Sequence, residues 1–232
     1  MITLYYAPDN ASLIVRMLLE ELQLPYETKL VDRSKQEQSS EQYLKLNPSG
    51  LIPVCLINNE PVFETAAILL SLADIHKKFV LPVNHEQRPQ MLKWLFFLSN
   101  SLHSDLRLRF YPEKYVGTNR TALDACETIT LDRIKDRINQ IDAQYQANGQ
   151  NYLYGSEPSI VDFYLAACVR WLQLYPKDKK GQFSCTDFPF VLAMVRRMEV
   201  REAVIRACTY EGISANIFSN PDYANPPEGV SL

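Results

Sequence analysis

Any chemistry in this chain has to come from a few polar side chains set at turns and helix starts. Pro8-Asp9-Asn10 is turn chemistry, and with Ser12 it places an amide and a hydroxyl where a helix begins. Either side chain suits capping of that helix, and either suits hydrogen bonding to something bound beside it. Glu64-Thr65 opens another helix, where a hydroxyl, free N–H groups and the positive end of the helix dipole favour a carboxylate ligand. Capping by Thr65 is the alternative, and both roles can hold at once. Ser159 and Asp162 stand at the spacing of a capping box and are read as structural. His103 is one histidine on an apolar helical stretch, a position that suits a hydrogen-bonded interior residue as readily as a reactive one.

The remaining composition narrows the options. Cys55, Cys126, Cys168, Cys185 and Cys208 form no CxxC pair and have no histidine at ligand spacing, which argues against zinc and against a disulfide framework. No metal is expected, and the thiols read as reduced packing residues. A formal net charge of -3 over 232 residues offers no excess of cations to a phosphate backbone, so nucleic acid is not an expected partner. The first residues lack a basic leader followed by an apolar run, and no stretch approaches the roughly 18 uninterrupted apolar residues of a membrane span. A cytoplasmic protein without a membrane partner is the expectation.

The elements that must position these residues follow from periodicity. Thr3 to Ala7 alternates as a strand, Leu13, Ile14, Met17, Leu18 and Leu22 recur at helical spacing opposite Arg16, Glu20 and Glu21, and Tyr26 to Val31 resembles a second strand. That β-α-β unit predicts parallel strands. After the polar residues 34–40 come a short helix over 41–46, the break Asn47-Pro48-Ser49-Gly50, and two apolar runs, 54–57 and 61–63, that predict a hairpin. A helix over 65–76 completes β-α-β-α-β-β-α. Residues 82–89 read as a linker, and strand signals then cease: helical periodicity covers 91–103, 122–145, 159–174 and 188–208. The prolines at 221, 226 and 227 predict an extended surface tail over 214–232. The expected division is therefore an N-terminal domain over 1–81, the linker, a helical domain over 90–213, and the tail.

This order, with three local sequences, resembles the cytosolic glutathione S-transferase superfamily from Met1 to about Ile213. Asn47-Pro48-Ser49-Gly50-Leu51-Ile52-Pro53-Val54 is similar to the family's N-P-x-G-x-V/I-P stretch, Glu64-Thr65 to its Glu-Ser pair, and Ser159-Ile160-Val161-Asp162 to its S/T-I/V-x-D element. The resemblance implies a thioredoxin-like N-terminal domain followed by a helical bundle, glutathione as co-substrate, a second, hydrophobic electrophile, and a homodimer. It also implies a cis Ile52-Pro53 bond, the isomer ordinarily open only to X-Pro. That bond would leave the main chain of Ile52 to pair with the cysteinyl unit of glutathione, while Thr65 holds the γ-glutamyl carboxylate and Glu64 faces the ammonium.

The group that activates the sulfur varies among classes of the family. The pattern here is closest to bacterial beta and nu-like classes, yet Ala11-Ser12-Leu13 stands where the beta class has Cys-Ser-Leu, which excludes a mixed disulfide through that position. Asn10 and Ser12 remain as donors, and Tyr5 and Tyr6 lie inside the strand. Residues Trp94 to His103 resemble the beta-class helix whose histidine lines the cleft, so His103 joins the candidates. Lys35 is a candidate for the glycyl carboxylate. Arg107, Arg109, Phe110, Tyr111 and Tyr115 are candidates for the second-substrate pocket. The leading reading is a glutathione transferase acting on an electrophile or peroxide. A binding protein without turnover, and a glutathione-dependent disulfide reductase that needs no protein cysteine, are the alternatives.

Overall fold

The computed structural model describes residues 1–214 and 216–231. Strand β1 (Ile2–Tyr6), helix α1 (Ser12–Leu22) and strand β2 (Tyr26–Leu30) form the expected unit, with β1 and β2 parallel and Leu4 opposite Thr28. After two single 3-10 turns at 33–35 and 37–39 and the short α2 (Glu41–Leu44) come β3 (Val54–Ile57), β4 (Glu60–Phe63) and α3 (Thr65–His76). The sheet order is β2-β1-β3-β4, with β3 antiparallel to both neighbours. Asn58 and Asn59 turn the hairpin at φ of 54° and 68°, so two asparagines supply the left-handed turn for which glycine is the usual residue. This is a thioredoxin-like mixed sheet.

The rest is helical. Helix α4 (Arg88–Phe97) begins inside the expected linker, because Pro89 suits a helix's first turn. It continues through a π-helical stretch, Leu98–Leu102, into α5 (His103–Phe110), and α6 (Glu113–Val116), α7 (Arg120–Asn148) and α8 (Ile160–Leu174) follow. The single helix expected over 188–208 is two, α9 (Pro189–Met198) and α10 (Glu202–Tyr210), broken where Arg201 takes an extended conformation. Among the described residues, no helix is long and apolar enough to cross a membrane.

Helix α8 is buried along nearly its whole length, as its apolar composition requires. Ser159 and Asp162 cap it with the reciprocal bonds of a capping box. Asp162 also accepts from the Tyr145 hydroxyl at 2.6 Å and the Leu153 N–H at 3.1 Å, so the element is structural. Helix α1 packs against α3, α8 and α10 as well as β1. It therefore has no fully solvated face, and Arg16, expected on a polar side, is buried and donates from Nε to Glu211 at 2.8 Å. Residues 220–231 form neither helix nor strand, and they turn back over the sheet, where the Tyr6 hydroxyl donates to Glu228.

Candidate functional site

A cavity of about 640 Å³ opens between the start of α3, the loops of the sheet and the helical run from the π turn to α6. Three local segments shape its first side. Residues 47–53 are held by the Leu51 carbonyl, which accepts from Tyr43 Oη and Asn47 Nδ2, both at 2.8 Å. Gly50 adopts φ of 62°, and a side chain there would meet the Gln38 carbonyl at 3.1 Å. The Ile52–Pro53 bond is cis. Ile52 forms no main-chain hydrogen bond among the described residues, so its N–H and C=O are open to a ligand.

Glu64 and Thr65 occupy the next corner. Thr65 is the first residue of α3, and Glu64, at φ of 69°, precedes it without capping the helix. A positive φ is costly for a residue with a β-carbon and persists where its surroundings impose it. Here it leaves the Glu64 carboxylate exposed and turns the uncapped N–H groups of a 12-residue helix toward the cavity. Both residues line it. The arrangement presents an anion receptor beside a carboxylate, which suits a zwitterionic amino-acid end.

Asn10 lines the cavity from the loop before α1. Its Oδ1 accepts from the Ala11 N–H at 2.7 Å, and its Nδ2 has no protein acceptor among the described residues. The loop is set by its neighbour Asp9, which is fully buried at φ of 49°. Asp9 accepts from Arg170 Nε at 2.9 Å, Arg170 Nη2 at 3.0 Å and Trp171 Nε1 at 2.9 Å, and its N–H donates to Glu211 at 2.8 Å. Two buried ion pairs, Asp9 with Arg170 and Glu211 with Arg16, thus pin the turn that carries Asn10.

Ser12 departs from the expectation. It is fully buried, and its hydroxyl donates to the Ala7 carbonyl at 2.9 Å, so its one proton is used inside the loop and it does not line the cavity. Lys35 departs too. Its side chain is 72% exposed, pairs with Asp32 at 3.0 Å and stays outside the lining. Arg33, two residues earlier, lines the cavity and donates from Nη2 to the Tyr111 hydroxyl at 2.9 Å, tying the loop to the helices. Which cation of this loop reaches the cavity depends on the side from which each emerges at the 3-10 turn over 33–35, and that side is not set by the local sequence.

The helical wall carries His103, Arg107, Phe110, Tyr111 and Tyr115, as expected; Arg109 points away, buried and bonded to Gln182 at 2.7 Å. The π stretch just before His103 brings Ser99 and Asn100 onto the same wall, and π turns recur at functional sites. His103 Nδ1 shares a 2.8 Å hydrogen bond with the Tyr164 hydroxyl, and its ring lies 5.7 Å from that of Trp171. Burial, with Arg107 nearby, pushes its pKa down to about 4, so the imidazole is neutral near pH 7 and offers a hydrogen-bonding nitrogen rather than a charge. The Tyr164 hydroxyl in turn faces Thr65. Tyr164 and Trp171 had no local signal in the sequence, where they read as two more apolar positions of α8.

Residues 11–75 match the family model for the glutathione S-transferase N-terminal domain, and residues 104–206 match that for its C-terminal domain. The chain is 31% identical over 217 residues to glutathione S-transferase hmp2 of Hypomyces subiculosus, covering 89% of this chain and 97% of that one. It is 25% identical over 217 residues to glutathione S-transferase GstA of Escherichia coli O157:H7, covering 90% and 98%. A crystal structure of a glutathione transferase from Methylococcus capsulatus superposes with a TM-score of 0.77 at 27% identity, over 91% of this chain and 99% of that one. The chain belongs to the glutathione S-transferase family.

Proposed function

We propose that the protein binds glutathione in this cavity and, as a transferase, directs its thiolate at an electrophilic or peroxidic co-substrate. The observation that carries the reading is the uncapped start of α3, where Thr65 and free N–H groups adjoin the unused Glu64 carboxylate. The γ-glutamyl carboxylate belongs on Thr65 and the ammonium on Glu64. The cysteinyl unit then pairs with Ile52, and the glycyl carboxylate reaches Arg33, in place of Lys35.

The sulfur falls near Asn10, whose Nδ2 donates to it. Lowering the thiol pKa by about two units requires roughly 2.7 kcal/mol of differential stabilisation, the scale of one or two hydrogen bonds to a charged group. With an aryl halide, the thiol proton leaves to solvent, a C–S bond forms, and the halide departs with the electron pair of its bond. Exposed Leu51, Phe63 and Phe96 support a homodimer, and five unpaired thiols fit a cytoplasmic setting.

Titration calorimetry tests the assignment. Glutathione should bind the wild type, and Glu64→Gln and Thr65→Ala should each weaken it by about 1.5 to 3 kcal/mol. Wild-type affinity in both variants removes the anchor. Turnover of a chlorodinitrobenzene separates a transferase from a protein that only binds, and sedimentation at one chain's mass removes the dimer.

A further inference from the structure

With glutathione placed as above, the part of the cavity beyond its sulfur is bordered by one face of the helical run. Ser104, Arg107, Phe110 and Tyr111 follow His103 there at helical spacing, with Lys114 next. We propose that Arg107, aided by Lys114, makes this half of the cavity selective for an electrophile that carries a carboxylate on an aromatic or other apolar body. The inference rests on the glutathione reading and deepens it.

The charges are unevenly distributed. Arg33, Arg107 and Lys114 line the cavity, whereas Glu64 is the one carboxylate on its wall among the described residues. Glutathione accounts for Glu64 and Arg33, which leaves two cations. Neighbouring arginines are turned to other partners: Arg133 and Arg137 on α7 meet Asp105, and Arg109, buried away from the cavity, bonds Gln182 through Nη2 while its Nε and Nη1 find no acceptor among the described residues. The Arg107 guanidinium has neither an ion pair nor a hydrogen bond among the described residues. It lies one helical turn past His103, which is neutral and therefore adds no charge of its own to the pocket.

An unpaired guanidinium in a partly enclosed wall is suited to a planar carboxylate, which it grips with two parallel N–H donors. The apolar part of such a ligand has a platform beside it. Tyr111 is fixed by Arg33 at its hydroxyl, 2.9 Å away, and by Lys114 over its ring, 4.6 Å from the centroid, and Phe110 adjoins it. The cavity, about 640 Å³, lies within the range of sites that hold drug-sized ligands, enough for glutathione and a small aromatic acid together.

The test uses a matched pair: the glutathione conjugate of a chlorodinitrobenzoate and that of the corresponding neutral benzamide. Their affinities are measured by calorimetry, so turnover is not required. The carboxylate conjugate should bind the wild type about tenfold or more tighter, the scale of a charge-assisted hydrogen bond. Arg107→Gln should bring that ratio close to one, and Arg107→Lys should retain part of it. Equal binding of both conjugates by the wild type, or a ratio unchanged in Arg107→Gln, would overturn the proposal. If Arg107→Gln weakens glutathione alone as much as it weakens the carboxylate conjugate, the arginine serves glutathione and the proposal also fails. Failure of the wild type to bind glutathione would overturn both readings.

Discussion

Replacing Asp9 with alanine is the sharpest probe of how the site is held. Asp9 and Arg170 are both fully buried, and the carboxylate takes three donors within 3.0 Å, two from Arg170 and one from Trp171. Deleting one partner of a buried ion pair leaves an uncompensated charge and typically costs about 3 to 5 kcal/mol. Arg170 would keep two acceptors, the carbonyls of Ile217 and Asp222, each at 2.8 Å, so the lower half of that range is expected. Urea unfolding reads the loss, provided tryptophan fluorescence and far-ultraviolet circular dichroism give coincident transitions. Because the two residues share one interaction, a cycle with Arg170→Leu should be non-additive by about 1 to 3 kcal/mol. An Asp9→Ala variant within about 1 kcal/mol of wild type, or additive behaviour in the cycle, would refute the view that this pair pins the turn under Asn10.

Asn10→Ala should raise the pKa of bound glutathione in ultraviolet difference titration. Ser12→Ala should leave that pKa alone and lower stability by about 1 kcal/mol, since its bonds are to Ala7; the opposite pattern would exchange their roles. Lys35→Ala should leave glutathione affinity unchanged and Arg33→Gln should reduce it, which calorimetry decides. Burial, opposed by the Arg16 guanidinium, pushes Glu211 up to about 7 from its ordinary 4.5. Between those values the folded state therefore holds a proton that the unfolded state has lost, and the pair with Arg16 is fully ionic only above them. Stability from this group is fully present below about 4.5 and is lost as pH rises through about 7. The wild type should therefore lose stability relative to Glu211→Gln across that window, and a flat difference would show the glutamate ionised throughout.

What was legible in the sequence was local. The alternation of β1, the apolar spacing of α1, the hairpin at Asn58-Asn59 and the S-x-x-D box each involve residues within one or two turns of one another, and short-range sterics and hydrogen bonding decide them. The helix start at Thr65 was legible locally, whereas the cis bond at 52–53 was expected only through the family resemblance of residues 47–54. What escaped depends on partners far along the chain. Asp9 lies 161 residues from Arg170, and Arg16 lies 195 from Glu211. As isolated residues, Asp9 reads as turn chemistry and Arg16 as a solvated charge. Ser12 was misplaced by helix phase, because one residue of rotation separates the face toward the cavity from the face toward Ala7. Continuous apolar periodicity from 188 to 208 likewise hid the break before Arg201, whose cause is a change in direction and not in hydrophobicity.

The return of residues 222–228 to the first strand also bears on biosynthesis. A ribosome releases the sheet-forming segment long before Arg170 and Glu228 are polymerised, yet Asp9 pairs with Arg170, itself held by the Asp222 carbonyl, and Tyr6 donates to Glu228. Until then the turn bearing Asn10 exposes an unmatched carboxylate to water, and the ligand cavity lacks its helical wall. Vectorial synthesis therefore leaves the first sheet incomplete on its own, because its buried polar groups find their partners only in chain made well after it.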